Sequence, residues 1–223
     1  MIVVHHLNNS RSQRVLWLLE ELGLDYELRL YQRDKQTMLA PPELKAVHPL
    51  GKSPVISDGD LVLAESGAIL EYLVDRYGKG RWEPERGSPA HLRYRYWMHY
   101  AEGSLMPPLL MKLVFDSIQR AKMPFFIKPV AAGICDRARK GFVMPQVNRH
   151  LDFVEAELGK STWFAGEDFT AADVQMSFPI EAAQVRGGLN ESRPRLMSFL
   201  QRIRARPAYQ RAVEKGGAYK LMG

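Results

Sequence analysis

The chain has 223 residues, with 46% hydrophobic and 25% charged residues, which is ample for a buried core in one large or two small domains. It has no apolar run of the roughly 20 residues that a membrane-spanning helix needs, and its first residues lack the basic flank and cleavage site of a secretory signal. Cys135 is the only cysteine, which fits a reducing compartment, so we expect a cytoplasmic protein with no membrane partner.

The formal net charge of +6 raises the question of nucleic-acid binding. The excess lies late in the chain, where Glu191 and Glu214 are the only acidic residues among the many basic residues between 186 and 220. A basic stripe is the electrostatic footprint of a nucleic-acid binder, but no nucleic-acid motif accompanies it and aromatic residues are sparse there. We therefore predict a solvated helix surface and no nucleic-acid partner.

The chain opens with a predicted β-α-β unit. Residues 2–7 form a β-branched apolar run typical of a buried strand, and its adjacent histidines, His5 and His6, would point to opposite faces and bind no metal together. Ser10 is a natural N-cap for a helix that ends at Gly23. Residues 26–30 alternate as a half-buried strand, which predicts a parallel pair with a right-handed crossover.

The stretch from residue 48 to residue 69 organises the first half. After a short helix beginning at residues 41–43, Pro54 opens an apolar strand, and the Ser53-Pro54 bond is a candidate cis bond that would turn the Ser53 backbone toward an extended peptide ligand. The Asp58-Gly59 pair predicts a hairpin. A third helix then runs to Tyr77.

Glu65 and Ser66 stand where the third helix begins. Ser66 suits the N-cap, and the unbonded N–H groups of the first turn favour an anion, whereas Glu65 favours a cation. One end of a small zwitterion would bind across the two residues. The alternative is a well-capped helix with no ligand.

Beyond a Gly- and Pro-rich linker at 80–89, the pattern is helical throughout. Ser88-Pro89 begins a long helix that Pro107 and Pro108 must kink or interrupt. A second long helix is expected over 131–158, and two more over 194–204 and 207–215. Thr170 and Asp173 have the spacing of a capping box, which we interpret as structural. We predict domains at 1–80 and 88–223.

Several motifs together resemble the cytosolic glutathione transferases, and some resemble a fungal and bacterial branch of that family. They are Leu7-Asn8-Asn9-Ser10-Arg11-Ser12-Gln13-Arg14, Tyr31-Gln32-Arg33-Asp34, Ala40-Pro41-Pro42-Glu43-Leu44, the Ser53-Pro54 and Glu65-Ser66 pairs, Phe169-Thr170-Ala171-Ala172-Asp173 and Met176-Ser177-Phe178-Pro179. The resemblance implies an α/β thioredoxin-like N-terminal domain followed by an all-α C-terminal domain, in a homodimer.

The resemblance also implies a chemistry, in which glutathione is the co-substrate and no metal takes part. Ser10, four residues before Arg14 as in serine-type transferases, would donate a hydrogen bond to the thiolate, although Asn9 or a main-chain amide is an alternative donor. Lys52 would meet the glycine carboxylate and Ser53 the cysteinyl backbone. Glu65 and Ser66 would hold the γ-glutamyl group. Two of these roles have a purely structural alternative: Ser10 would be a plain helix cap, and Lys52 would be an exposed loop residue.

The second substrate is expected to be a small hydrophobic electrophile, bound between the domains. Candidate lining residues are Met106, Met111, Phe115, Met123 and Phe126, although most of them are more typical of a core than of a pocket. Two other functions remain open on the same scaffold. One is a glutathione-dependent peroxidase or disulfide-bond reductase, and the other is a non-catalytic protein that binds glutathione or hydrophobic ligands.

Overall fold

The protein is represented by a computed structural model that describes residues 1–34, 37–217 and 221. Four strands form one mixed sheet: β1 (Ile2–Leu7), β2 (Tyr26–Tyr31), β3 (Val55–Asp58) and β4 (Leu61–Ala64). The helices are α1 (Ser12–Leu22), α2 (Pro42–Val47), α3 (Ser66–Tyr77), α4 (Pro89–Tyr100), α5 (Met106–Arg120), α6 (Lys128–Ala138), α7 (Met144–Glu157), α8 (Ala171–Ala182), α9 (Pro194–Arg204) and α10 (Pro207–Gly216).

The sheet has the strand order β2-β1-β3-β4. Strand β1 is parallel to β2, which confirms the predicted β-α-β opening, and Val4 pairs with Leu28 on one side and with Ile56 of the antiparallel β3 on the other. The predicted hairpin joins β3 to β4. Gly59 has a φ of 62° in that turn, a conformation that favours glycine.

Helix α1 covers the sheet because its apolar residues recur at helical spacing. Val15, Leu16, Leu18 and Leu19 are fully buried. The helix ends where predicted, at Gly23, whose backbone N–H donates to the carbonyl of Leu19. Its left-handed φ of 66° then turns the chain so that the N–H of Leu24 donates to the same carbonyl at 3.1 Å.

Prolines reshape the two long helical segments of the second half. Ser88 caps α4 as predicted, accepting from the His91 N–H at 3.1 Å. A π-helical turn at residues 101–105 separates α4 from α5, and another at 139–143 separates α6 from α7. Pro107, Pro108 and Pro145 cannot donate to the carbonyls four residues earlier, so the bonding shifts to the wider spacing just before them. The predicted helix over 131–158 contains the π-helical turn at 139–143, and it begins earlier than predicted, at Lys128.

The predicted capping box is present at the start of α8. The N–H of Thr170 donates to Asp173 Oδ2 at 2.8 Å, and the N–H of Phe164 donates to Oδ1 at 2.9 Å. Burial raises the pKa of Asp173 to about 6, with these donors acting in the opposite direction. The box fixes the start of a helix that is buried along its whole length.

Helices of the second half pack directly on the first. Helix α10 lies against α1, and α8 lies against α1, α3 and α4, so the buried apolar residues of both halves form one contiguous cluster. The domain boundary between residues 80 and 88 stays a prediction. Within the described ranges, no helix is both long and apolar enough to span a membrane.

Many of the late basic residues form ion pairs. Arg206 donates to Glu21 on α1, and both Arg211 and Lys215 donate to Glu20. Arg193 pairs with Asp152. These cations hold helices together instead of forming one uncompensated stripe. Lys220, the last of the predicted set, lies outside the described residues.

Candidate functional site

A cavity of about 290 Å³ lies between the sheet edge and the second half of the chain. Lys52, Ser53, Glu65 and Ser66, the four predicted binding residues, all line it. The other lining residues are Arg11, His48, Leu50, Pro54, Ala64, Glu102 and Leu110. The Ser53-Pro54 bond is cis, as predicted. The segments before β3 and after β4, which the hairpin brings side by side, therefore share one wall.

The expected N-cap role of Ser66 is wrong. Glu65 occupies the cap position with a left-handed φ of 73°, and Ser66 is the first residue of α3. The chain turns sharply at Glu65 as it leaves β4, which places Ser66 inside the helix. The buried hydroxyl of Ser66 accepts from Arg14 Nη1 at 3.1 Å, so this serine joins the first turn of α3 to α1.

Glu102 is the acidic centre of the inner wall. Its carboxylate accepts from Arg11 Nε at 2.9 Å and from Arg14 Nη1 at 2.6 Å. Both guanidinium groups also lie over the ring of Phe178, about 5 Å from its centroid. Burial alone would raise the pKa of Glu102, but Arg14 and Arg11 outweigh it and hold the pKa below its usual range. The carboxylate is therefore ionised at neutral pH.

Ser10 does not line the cavity itself, but it lies directly behind Ser53, which does. Contrary to expectation it is not the N-cap, since α1 begins at Ser12 with Arg11 in the cap position. It still satisfies one helix donor, because its Oγ accepts from the Ser12 N–H at 3.2 Å. The Ser10 Oγ is 2.7 Å from Ser12 Oγ and 3.4 Å from the Oγ of Ser53.

A buried histidine extends this series of hydroxyls. Ser12 Oγ lies 2.8 Å from His6 Nδ1, and burial lowers the pKa of His6 to about 4, although a backbone hydrogen bond to Gly216 acts the other way. A neutral His6 is thus fixed at the inner end. His5 lies on the opposite face of β1, as predicted, with its Nδ1 2.9 Å from the Tyr31 hydroxyl. Among the residues that the structure describes, no group of three metal-binding side chains occurs.

The two asparagines before Ser10 differ in their roles. The Asn8 Oδ1 accepts from the Arg33 N–H at 2.8 Å, which ties that side chain to the segment after β2. Asn9 has a left-handed φ of 51° and forms the turn itself. Asn8 is therefore structural, and the role of Asn9 as an alternative donor stays a prediction.

Much of the cavity wall is formed by residues that were not predicted. Met106, predicted for the electrophile pocket, is buried in the core, and Phe126 is exposed. None of the five predicted residues lines this cavity, whereas Leu50 and Leu110 do. Glu102 gave no local signal, because its arginine partners lie about 90 positions earlier in the chain. Ser12 and His6 did give a weak sequence signal, because a Ser-x-Ser pair follows a strand that contains histidines.

A four-stranded mixed sheet with a cis-Pro edge, followed by a helical half that closes a polar cavity, defines the class of the glutathione transferases. The family models "Glutathione S-transferase, N-terminal domain" and "Glutathione S-transferase, C-terminal domain" match residues 1–75 and 121–207. "Glutathione S-transferase 3" of Schizosaccharomyces pombe is 38% identical over 96% of this chain and 88% of its own length. "Glutathione S-transferase 1" of Saccharomyces cerevisiae is 34% identical over 98% of this chain and 96% of its own length.

A solved structure agrees with this assignment. The crystal structure of a glutathione S-transferase from Actinobacillus pleuropneumoniae is 37% identical, covers 99% of this chain and 95% of its own, and gives a TM-score of 0.80. The chain belongs to the glutathione S-transferase family, and its enzyme class is glutathione transferase.

Proposed function

We propose that this glutathione transferase binds glutathione in the cavity between Ser53 and Ser66 and conjugates its thiolate to small hydrophobic electrophiles. The observation that carries the proposal is the shared wall. Lys52, Ser53, Glu65 and Ser66 come from two separate turns and line one cavity. That wall offers a cation, a backbone edge, a carboxylate and a hydroxyl, which are complementary to a zwitterionic tripeptide.

Each end of glutathione has a chemical partner in this proposal. Lys52 is exposed at the cavity mouth and meets the glycine carboxylate as a mobile point charge. The backbone of Ser53 pairs with the cysteinyl residue. Ser66 and the first turn of α3 receive the γ-glutamyl carboxylate, because unbonded helix N–H groups favour an anion. Glu65 receives the ammonium group.

Ser10 is the proposed donor to the sulfur. A thiol with a pKa of about 8.5 is only a few per cent ionised at neutral pH, so a donor that favours the thiolate raises the reactive fraction. Ser53 cannot take this role with its hydroxyl, because its Oγ donates to the carbonyl of His5 at 2.8 Å. The hydroxyl of Ser10 can turn from its neutral serine neighbours to a thiolate, which is the stronger acceptor.

The apolar electrophile is proposed to approach along Leu50 and Leu110. These two residues are 59% and 51% exposed and line the same cavity, so they offer apolar contact next to the proposed sulfur position. Assays with an aryl halide, a hydroperoxide and a glutathionyl disulfide separate conjugation from the peroxidase and reductase alternatives. Glutathione binding without turnover on any of the three would favour a binding protein.

A homodimer in the cytoplasm with a detoxifying role completes the proposal. Leu92 and Tyr96 lie one turn apart on α4 and are 71% and 48% exposed, which supports a partner surface. Support from α3 is weaker than expected, because Tyr72 and Tyr77 donate to Asp58. Sedimentation of the wild type and of Tyr96→Glu tests the dimer, and cell fractionation tests the location.

Ser10→Ala is the direct test of the chemistry. We expect kcat to fall roughly ten- to a thousandfold, up to the hundred- to thousandfold loss that follows removal of one oxyanion-hole donor, with little change in the KM for glutathione. Ser117→Ala is the matched control, since Ser117 is exposed on α5 and donates only to the carbonyl of Leu113. Unchanged turnover in Ser10→Ala would move the donor role to Asn9 or to a main-chain amide.

A further inference from the structure

A second cavity, of about 460 Å³, adjoins the first at the start of α3. The two cavities share Glu65, Ser66 and Glu102. The additional lining residues of the second cavity are Gly67, Ala68, Glu71, Met98, His99, Gly103 and Gln175. Because the shared residues include both proposed γ-glutamyl contacts, a ligand held there has room to extend into the second cavity.

Gln175 is the unusual member of this wall. It lies on α8 and is only 1% exposed. Its Nε2 reaches the Met98 carbonyl at 3.5 Å, whereas no described residue donates to its Oε1. A buried amide oxygen without a donor costs free energy, so polar groups of this kind normally have a partner in the functioning protein. The side chain is held in place with its acceptor unused.

The charge of the second cavity selects the kind of donor. Glu65 and Glu71 both line it, and neither forms an ion pair with any residue in the described ranges. Glu102, by contrast, is already neutralised by Arg11 and Arg14. Two unpaired carboxylates and one amide oxygen suit a cation with several N–H donors. A primary ammonium group has three donors and no acceptor.

The first turn of α3 supplies the complementary site for an anion. Ser66, Gly67 and Ala68 line the cavity and are the first three residues of this 12-residue helix, whose unbonded N–H groups attract negative charge. A carboxylate there and an ammonium beside Gln175 together match an α-amino acid head group.

We propose that Gln175 is a binding and specificity residue, whose Oε1 accepts a hydrogen bond from the ammonium of the γ-glutamyl group of glutathione. Glu71 adds charge complementarity from the same cavity. This assignment rests on the proposed binding of glutathione, and it adds to Glu65 a second, uncharged contact from the helical half. Gln175 thereby links the orientation of α8 to recognition of the head group.

The test compares two ligands on two enzymes by calorimetry. The ligands are glutathione and glutaryl-cysteinylglycine, which lacks only the amino group. We expect Gln175→Leu to bind glutathione roughly ten- to a hundredfold more weakly than the wild type, the range for a hydrogen bond to a charged group. Its affinity for the deaminated ligand should equal that of the wild type, because that ligand never used the amide oxygen.

Controls separate this inference from folding and from the proposed function. Gln175→Met keeps an unbranched side chain of similar length and should reproduce the effect if Gln175→Leu fails to fold. Gln210→Leu, on the exposed face of α10, should bind both ligands as the wild type does. An equal loss for both ligands, or no loss for either, would overturn the role of Gln175. Failure of the wild type to bind glutathione would instead overturn the proposed function itself.

Discussion

Arg14 Nη1 lies 2.6 Å from Glu102 Oε1, although the two residues are 88 positions apart. Arg14 is only 1% exposed, and Glu102 sits on the π-helical turn between α4 and α5. The pair joins α1 of the sheet-containing half to the helical half at the wall of the proposed glutathione site. Ser66 shares the same guanidinium, so the start of α3 is held in the same network.

Glu102→Ala should destabilise the protein strongly, because it leaves the buried guanidinium of Arg14 without its carboxylate. Removing the partner of a buried charge in this way costs about 3 kcal/mol or more in the free energy of unfolding, measured by urea denaturation. Glu27→Ala is the control, since Glu27 pairs with Arg29 at an exposed site and should leave the urea midpoint unchanged. Equal midpoints for the two variants would contradict a structural role for Glu102.

Features that depend on a few neighbouring residues were predicted from the sequence, whereas contacts between distant segments were not. The β-α-β opening, the hairpin at Gly59, the capping box at Thr170 and the cis bond at Pro54 each depend on a few neighbouring residues. The residues predicted to bind glutathione flank two such turns, which explains why they meet on one wall. The N-cap assignments of Ser10 and Ser66 were wrong because each helix begins at another place: Arg11 occupies the cap position of α1, and Glu65 that of α3.

Glu102, His6 and Gln175 show the limit of sequence reasoning. Each occupies a helix or strand position that its pattern marks as ordinary, and its role arises only when another segment packs beside it. The pairing of late arginines with Glu20 and Glu21 has the same cause. A count of charges showed an excess of cations, but the packing of α10 on α1 determines which of them are neutralised.

The titration of His6 predicts that acid weakens the fold between pH 6.5 and pH 4. Its pKa falls from 6.5 to about 4 on folding, so the unfolded chain binds the proton more readily and stability is lost as pH falls through this window. The full effect is roughly 3 kcal/mol. The stability of the wild type minus that of His6→Gln, measured by urea at several pH values, should shrink as pH falls. A constant difference would contradict the titration.

The titration of Asp173 predicts the opposite dependence of stability on pH. Its pKa rises from 3.8 to about 6 on folding, so its contribution is complete below pH 3.8 and is lost as pH rises through 6. The wild type should therefore lose stability relative to Asp173→Asn as pH rises from 4 to 6. Between pH 4 and 6 the contributions of His6 and Asp173 to stability change in opposite directions, so they partly cancel in the pH profile of the wild type. Each single variant is needed to reveal one of them.

Arg206 is expected to contribute more to stability than most surface arginines. Its Nε and Nη2 donate to the two carboxylate oxygens of Glu21 at 2.5 and 2.9 Å, and its guanidinium lies 3.9 Å from the centroid of the Phe169 ring. Both contacts need a planar group with two parallel donors, which lysine lacks. Arg206→Ala should lower the free energy of unfolding by about 2–3 kcal/mol.

Arg206→Lys should recover less than half of that loss, because it restores the charge without the paired hydrogen bonds or the stacking. Arg86→Ala is the matched control, since Arg86 and its partner Asp75 are 70% and 55% exposed and their ion pair is screened by water. We expect its urea midpoint to match that of the wild type. Full recovery by lysine would show that only the charge of residue 206 matters, and that α10 is held on α1 without the planar contact.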